Sequence, residues 1–271
     1  MSTCLIIPCY NEAERLPVTR FVLYASENPS FHFCFVDDGS KDNTHDIITN
    51  LCSQIGEQAS SLRLTKNFGK AEAVRQGLLF ALKRNHDRIG YWDADLATPL
   101  DAIDDLSRIL DTMPEVELVM GARVKLQGRK IVRHATRHYF GRLFATAASM
   151  ILRLPVYDTQ CGAKILSVKE HTASVLEKPF VSRWVFDVEL IARLTAQWKQ
   201  DSSETNTSLR IYEYPLHEWV DIDGSKIRPR DLMKVGIDLI KIMWIHSHFC
   251  DLGKHHRQEK TTIIADSKNE N

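Results

Sequence analysis

Short apolar runs alternate with amphipathic stretches through the first half of the chain. Cys4–Pro8, His32–Asp37, Leu62–Lys66, Ile89–Asp93 and Leu118–Arg123 have the length and apolar content of strands. Helical periodicity fills the intervals, for example over Ala71–Arg84 and Leu100–Met113. This β-α-β-α rhythm predicts an α/β fold whose mostly parallel central sheet carries helices on both faces. Ligands bind such sheets beyond the carboxyl ends of the strands, and polar motifs follow the apolar runs here. The second half is less regular. Helices are expected over Arg133–Leu152, Trp184–Trp198 and Asp231–His248, a short strand over Leu209–Tyr214 and a polar loop over Gln200–Ser208. The pattern divides into an α/β domain over 1–228, an amphipathic helix over 229–250, and a polar, lysine-rich tail over 251–271 whose composition predicts disorder.

Composition narrows the class. At 271 residues the chain has room for one large α/β domain with a small appendage. Lys plus Arg and Asp plus Glu are both 35, which excludes bulk attraction to nucleic acid and leaves anion recognition to local clusters. The six cysteines (Cys4, Cys9, Cys34, Cys52, Cys161, Cys250) form no CxxC pair, and several sit in apolar runs as small hydrophobes. A reduced, cytoplasmic setting is expected. No secretory signal is expected either, because an apolar strand begins almost at the first residue. No window reaches the roughly 20 apolar residues a spanning helix needs; Leu143–Leu152 is cut by Arg153.

Several motifs carry candidate chemistry. Pro8-Cys9-Tyr10-Asn11-Glu12 ends the first strand and is expected to open the first helix, whose N–H groups would face a ligand beside Tyr10; a plain turn capped by Asn11 fits equally well. Val36-Asp37-Asp38-Gly39-Ser40 offers acceptors for a base or ribose, or simply turn residues ahead of Asp42. Lys66-Asn67-Phe68-Gly69-Lys70 closes the third run with two lysines suited to phosphate or to solvent. Asp93-Ala94-Asp95 follows the fourth run, where paired carboxylates suit a hard divalent cation that also takes diphosphate oxygens. Gly121-Ala122-Arg123 places an arginine at the fifth strand end. Chance placement of all five is far less economical than one shared ligand.

In this order the motifs resemble those of the family 2 glycosyltransferases, which have the GT-A fold. Asp158-Thr159-Gln160-Cys161-Gly162-Ala163-Lys164, Arg183 to Leu190, Asp93 to Thr98 and Asp223-Gly224-Ser225-Lys226 resemble the dolichyl-phosphate glucosyltransferase branch, over roughly residues 3 to 245. The resemblance implies an inverting, Mg²⁺- or Mn²⁺-dependent transfer from a nucleotide sugar to a polyprenyl phosphate. It implies that Pro8, Tyr10, Glu12, Val36 and Asp38 surround base and ribose. Asp93, Ala94 and Asp95 would line the diphosphate, with Asp93 and Asp95 on the metal, while Lys70, Arg123 and Lys226 would meet phosphates. Polyprenyl-phosphate mannosyltransferases carry Gln where this chain has Ala97 and Arg where it has Val220, so a UDP-sugar, glucose foremost, is favoured over GDP-mannose.

Asp158 stands open between two roles: base toward a hydroxyl acceptor, or support for its loop. A phosphate monoester, with its second pKa near 6, needs no base. Arg133, Arg137 and Arg142 share a predicted helix with Tyr139, Phe140, Leu143 and Phe144, reading either as a solvated surface or as an anion site beside a lipid tail. The last helix pairs a narrow stripe of Asp231, Lys234, Asp238 and Lys241 with a wide apolar arc, which suits the cytoplasmic face of a membrane, a homodimer or domain packing. Competing readings are a saccharide or protein hydroxyl acceptor and a silent nucleotide-sugar-binding module. A nucleotidyltransferase is disfavoured because no Gly-rich phosphate loop follows the first strand.

Overall fold

Along β1 (Thr3–Cys9) successive side chains enter two different cores. Cys4 and Ile6 pack on one face of the sheet, and Leu5, Ile7 and Cys9 on the other. That is the period of two expected when helices cover both faces. The computed structural model describes residues 1–132, 135–201, 207–221 and 234–245, the side chains of 135–140 and 201 excepted.

The chain runs β1, α1 (Val18–Glu27), β2 (Phe31–Asp37), α2 (Thr44–Ile55), β3 (Ala59–Arg63), α3 (Lys70–Leu82), β4 (Arg88–Trp92), α4 (Ala102–Thr112), β5 (Leu118–Ala122) and β6 (Lys130–Val132). It continues through α5 (Ala135–Leu152), β7 (Ala163–Ser167), α6 (Thr172–Glu177), α7 (Phe186–Asp201), β8 (Ile211–Pro215), β9 (Glu218–Val220) and a helix over 234–245, here α8. The seven-stranded sheet has the order β3-β2-β1-β4-β7-β5-β8, and β6 pairs with β9 apart from it. Helices α1, α2 and α4 cover one face, and α3, α5, α6, α7 and α8 the other. The expected mostly parallel α/β sheet is what forms.

Four local expectations change. No helix begins at residues 10–12: Asn11 takes a left-handed backbone (φ 51°) and α1 starts only at Val18. Asn and Asp tolerate that conformation because a short polar side chain can bond locally, and Asn11 Oδ1 accepts the Lys41 N–H at 2.9 Å. The third strand lies three residues earlier than its apolar run, because its register with β2 ends at Asp37 opposite Arg63. The run Ala163–Ser167, interrupted by Lys164, is a buried strand antiparallel to both β4 and β5. The polar segment after residue 200 starts inside α7, and Thr207–Arg210 forms a 3-10 turn.

On α8 the wide apolar arc divides in two. Leu239 and Ile242 are buried in the core, whereas Ile237, Ile240, Met243 and Trp244 are exposed. Asp238 accepts from the Ser182 hydroxyl at 2.8 Å, fixing the helix to the segment before α7. No helix among the described residues is long and apolar enough to cross a membrane.

Candidate active site

The sequence motifs converge at the carboxyl ends of β1, β2, β4 and β5. Asp38 follows β2 and is buried, its two oxygens accepting the N–H groups of Phe68 and Gly69 at 2.8 Å each. Burial pushes its pKa up, against the pull of those two hydrogen bonds. Asp37 is likewise engaged, accepting from Ser40 N at 2.8 Å. Gly39 is required: its φ is 65°, and a Cβ there would overlap the Lys66 backbone. Asn11 N donates to Ser40 Oγ (3.0 Å) and Glu12 N to Thr44 Oγ1 (2.8 Å), strapping the first strand-end loop to the second. Pro8 and Tyr10 are half-buried, whereas Val36 is wholly inside the core, its backbone paired between β1 and β3, and does not face the cleft as the resemblance implied.

Asp93 and Asp95 stand on the turn that follows β4. Leu96, at φ 51°, tightens that turn, with its N–H on the Asp93 carbonyl at 3.1 Å. Asp93 N donates to Gly162 O at 2.9 Å, and the Asp93 carboxylate pairs with Lys70 Nζ at the start of α3. Burial opposes the charge on Lys70, but Asp93 and then Asp187 outweigh it and hold its pKa above the ordinary lysine value. Burial, and next the charge of Asp93, push the Asp95 carboxyl upward. Two carboxylates that repel one another in a half-buried turn are suited to a divalent cation. Among the described residues no three His, Cys, Asp or Glu side chains converge as a cage. One or two carboxylates completed by substrate phosphates are the usual protein share of a Mg²⁺ site. Gly162 leaves room for the pair, since a Cβ there would overlap the Asp93 carboxylate.

Arg123 and Asp158 form a bidentate pair, Nε to Oδ2 at 2.6 Å and Nη2 to Oδ1 at 2.7 Å, and the Arg123 N–H adds 3.1 Å. Burial would raise the Asp158 pKa, but Arg123 overrides it and holds the carboxyl below the usual range. Glu213 on β8 accepts the Tyr157 and Asp158 N–H groups, the latter at 2.7 Å, and burial raises its own pKa. Of the two roles open for Asp158, this geometry fits loop support, and the Nε and Nη2 of Arg123 are engaged in the same pair. Arg142 stacks on Tyr157 at 4.1 Å and is partly exposed. Arg133, the Arg137 side chain and Lys226 lie outside the described residues.

Gly162, Lys164 and Asp187, which stand in the motifs that carry the resemblance but have no role assigned there, and Glu213, brace the site from behind. Val220 N donates to Ala97 O at 3.1 Å, so the two positions that depart from the mannosyltransferase pattern are neighbours beside the carboxylate turn.

The model of the glycosyl transferase family 2 matches residues 4–170. A dolichyl-phosphate β-glucosyltransferase of Trichomonas vaginalis is 33% identical over 252 residues, spanning 89% of this chain and 70% of that protein. The human dolichyl-phosphate β-glucosyltransferase is 30% identical, spanning 88% and 74%. Glucosyl-3-phosphoglycerate synthase from Mycobacterium tuberculosis, crystallised with Mn²⁺, UDP and glucosyl-3-phosphoglycerate, shares the fold with a TM-score of 0.59 at 17% identity, over 92% of this chain and 80% of that one. With its carboxylate turn at the end of β4 and this breadth of matching sequence, the chain belongs to glycosyl transferase family 2 and is a glycosyltransferase.

Proposed function

We propose that the protein transfers glucose, with inversion, from UDP-glucose to a polyprenyl phosphate at the cytoplasmic face of a membrane. The observation that carries this is the Asp93–Asp95 turn, backed by Gly162 and braced by Lys70, in a chain whose curated relatives are dolichyl-phosphate β-glucosyltransferases. Asp93 and Asp95 would hold Mg²⁺ or Mn²⁺, which when bound supplies positive charge against the leaving diphosphate. Lys70 adds a second positive charge beside them. Pro8, Tyr10, Glu12 and Asp38 would border base and ribose, and Ala94 the diphosphate. A phosphate acceptor arrives already ionised at neutral pH, which agrees with an Asp158 carboxylate held by Arg123 and by the Gln160 N–H. Ala97 and Val220, joined through their backbones, offer no side-chain hydrogen bond where the mannosyltransferases have Gln and Arg, and this supports UDP over GDP.

The exposed apolar positions of α8 support membrane-surface binding, because Trp and aliphatic side chains enter the headgroup region while Lys241 stays at its edge. The alternative use of that face is a homodimer. Arg133, Arg137 and Lys226 are proposed to meet the acceptor and donor phosphates.

The test is a panel of UDP- and GDP-sugars with and without a short-chain polyprenyl phosphate, with and without EDTA. UDP-glucose with the lipid phosphate should be productive, and EDTA or Asp95→Ala should abolish transfer. Tighter binding of GDP than UDP, or transfer to a soluble hydroxyl acceptor alone, overturns the proposal. Vesicle flotation of Ile240→Ser/Trp244→Ser should show release from anionic vesicles with UDP binding intact; a wild-type protein that ignores vesicles removes the membrane from the reading.

A further inference from the structure

A chain of buried charges lies behind the carboxylate turn, and sugar transfer as described makes no use of it. Lys164 and Asp187 are 1% and 4% exposed. Lys164 Nζ donates to Asp187 Oδ1 and to the carbonyl of Cys161, both at 2.6 Å. Tyr91, whose position in β4 faces Lys164 across the antiparallel pairing, donates its hydroxyl to the same carboxylate. Gln160 Nε2 reaches the other oxygen at 3.4 Å.

Taking an ion pair out of water costs several kcal/mol per ion, and apolar residues of equal volume usually stabilise a core as well or better. The Phe186 ring packs on Tyr91 with centroids 5.6 Å apart, and the carboxylates of Asp158 and Glu213 lie within electrostatic reach of Lys164. A buried ion pair of this kind is weak evidence for a stabilising role. What the pair does hold is the Gln160–Gly162 turn, gripped at the Cys161 carbonyl by Lys164 and at Gln160 by Asp187. The next carbonyl, that of Gly162, accepts the Asp93 N–H, and the Gly162 Cα faces the Asp93 carboxylate so closely that no Cβ fits between. The pair therefore reaches Asp93 through the backbone turn.

We infer that Lys164 and Asp187 are positioning residues that fix the Gln160–Gly162 turn and, through it, the Asp93 carboxylate in the geometry needed for the cation. The inference rests on reading Asp93 and Asp95 as the cation pair. Partners that orient a metal ligand from behind commonly carry 10- to 100-fold in metal affinity.

The test uses two variants of the full chain. Asp187→Asn keeps the shape of the side chain. The triple variant Tyr91→Phe/Lys164→Met/Asp187→Leu removes both charges and the Tyr91 hydroxyl together, so no charge is stranded and only the Cys161 carbonyl and the Gln160 amide lose a partner. Mn²⁺ binding in the presence of UDP is read by calorimetry and by the Mn²⁺ paramagnetic resonance signal, and folding by urea titration. The triple variant should unfold cooperatively near the wild-type midpoint, yet bind Mn²⁺ about 10- to 100-fold more weakly, with UDP binding in EDTA unchanged; Asp187→Asn should weaken Mn²⁺ in the same direction. Mn²⁺ binding within twofold of wild type in both variants overturns the inference, and so does failure of both to fold, which would make the pair a stability element. A wild-type protein whose UDP binding ignores Mn²⁺ overturns the cation reading instead.

Discussion

Gly162→Ala is the most local perturbation of the proposed cation site. The backbone of Gly162 does not have a positive φ, so alanine meets no conformational barrier and any effect comes from the added methyl. That methyl would overlap the carbon and both oxygens of the Asp93 carboxylate, whereas real Cβ atoms essentially never come within 3.0 Å of a neighbour. The carboxylate must retreat by about 1 Å, and misplacement on that scale costs on the order of 10²-fold in rate. It has somewhere to go, since the Asp93 side chain is 35% exposed, so the fold should survive. The stability loss should stay within the usual range for overpacking, about 1–3 kcal/mol, or a fall in Tm of roughly 2–12 °C. The assay is kcat/KM with UDP-glucose and a short-chain polyprenyl phosphate, alongside Mn²⁺ affinity and a thermal melt. A loss near 10²-fold with a modest fall in Tm is expected. Activity and Mn²⁺ affinity within threefold of wild type would falsify the claim that Asp93 is held against Gly162 for function.

Gly77→Ala is the matching control: a Cβ there would overlap Ile6 beneath α3, so the melt should fall by a similar amount while Mn²⁺ affinity stays at the wild-type value, and a change in that affinity would contradict the separation of core and site. Asp158→Asn leaves Arg123 buried without its carboxylate, which should cost about 3–5 kcal/mol at pH 7. Because the folded pKa of Asp158 lies below its unfolded 3.8, its contribution is complete above pH 3.8 and is lost as the pH falls through the folded value. Urea midpoints of wild type and variant should therefore converge between pH 4 and the acid limit, and a gap independent of pH would refute the ion-pair account.

Elements that repeat a simple period are legible along the chain. Cys4–Pro8 and Ile89–Asp93 read as strands because side chains that alternate between two covered faces leave an unbroken apolar run. Asp38, Asp93 and Asp95 are legible because polar residues directly after such runs fall at strand ends. Tertiary structure decided what depends on pairing between distant segments. Ala163–Ser167 became a strand only through β4 and β5, and its buried Lys164 masked the apolar signal while finding its counterion 23 residues away in Asp187. Arg123, which the resemblance places among the phosphate contacts, also carries a pairing the local sequence does not show: Asp158, 35 residues along the chain, meets it. The exposed and buried halves of α8 also share one hydropathy, and only packing against the core separates Leu239 from Ile240. Periodicity records which residues avoid water, but a charge buried with its counterion avoids water too, and which charges those are depends on contacts the local sequence does not contain.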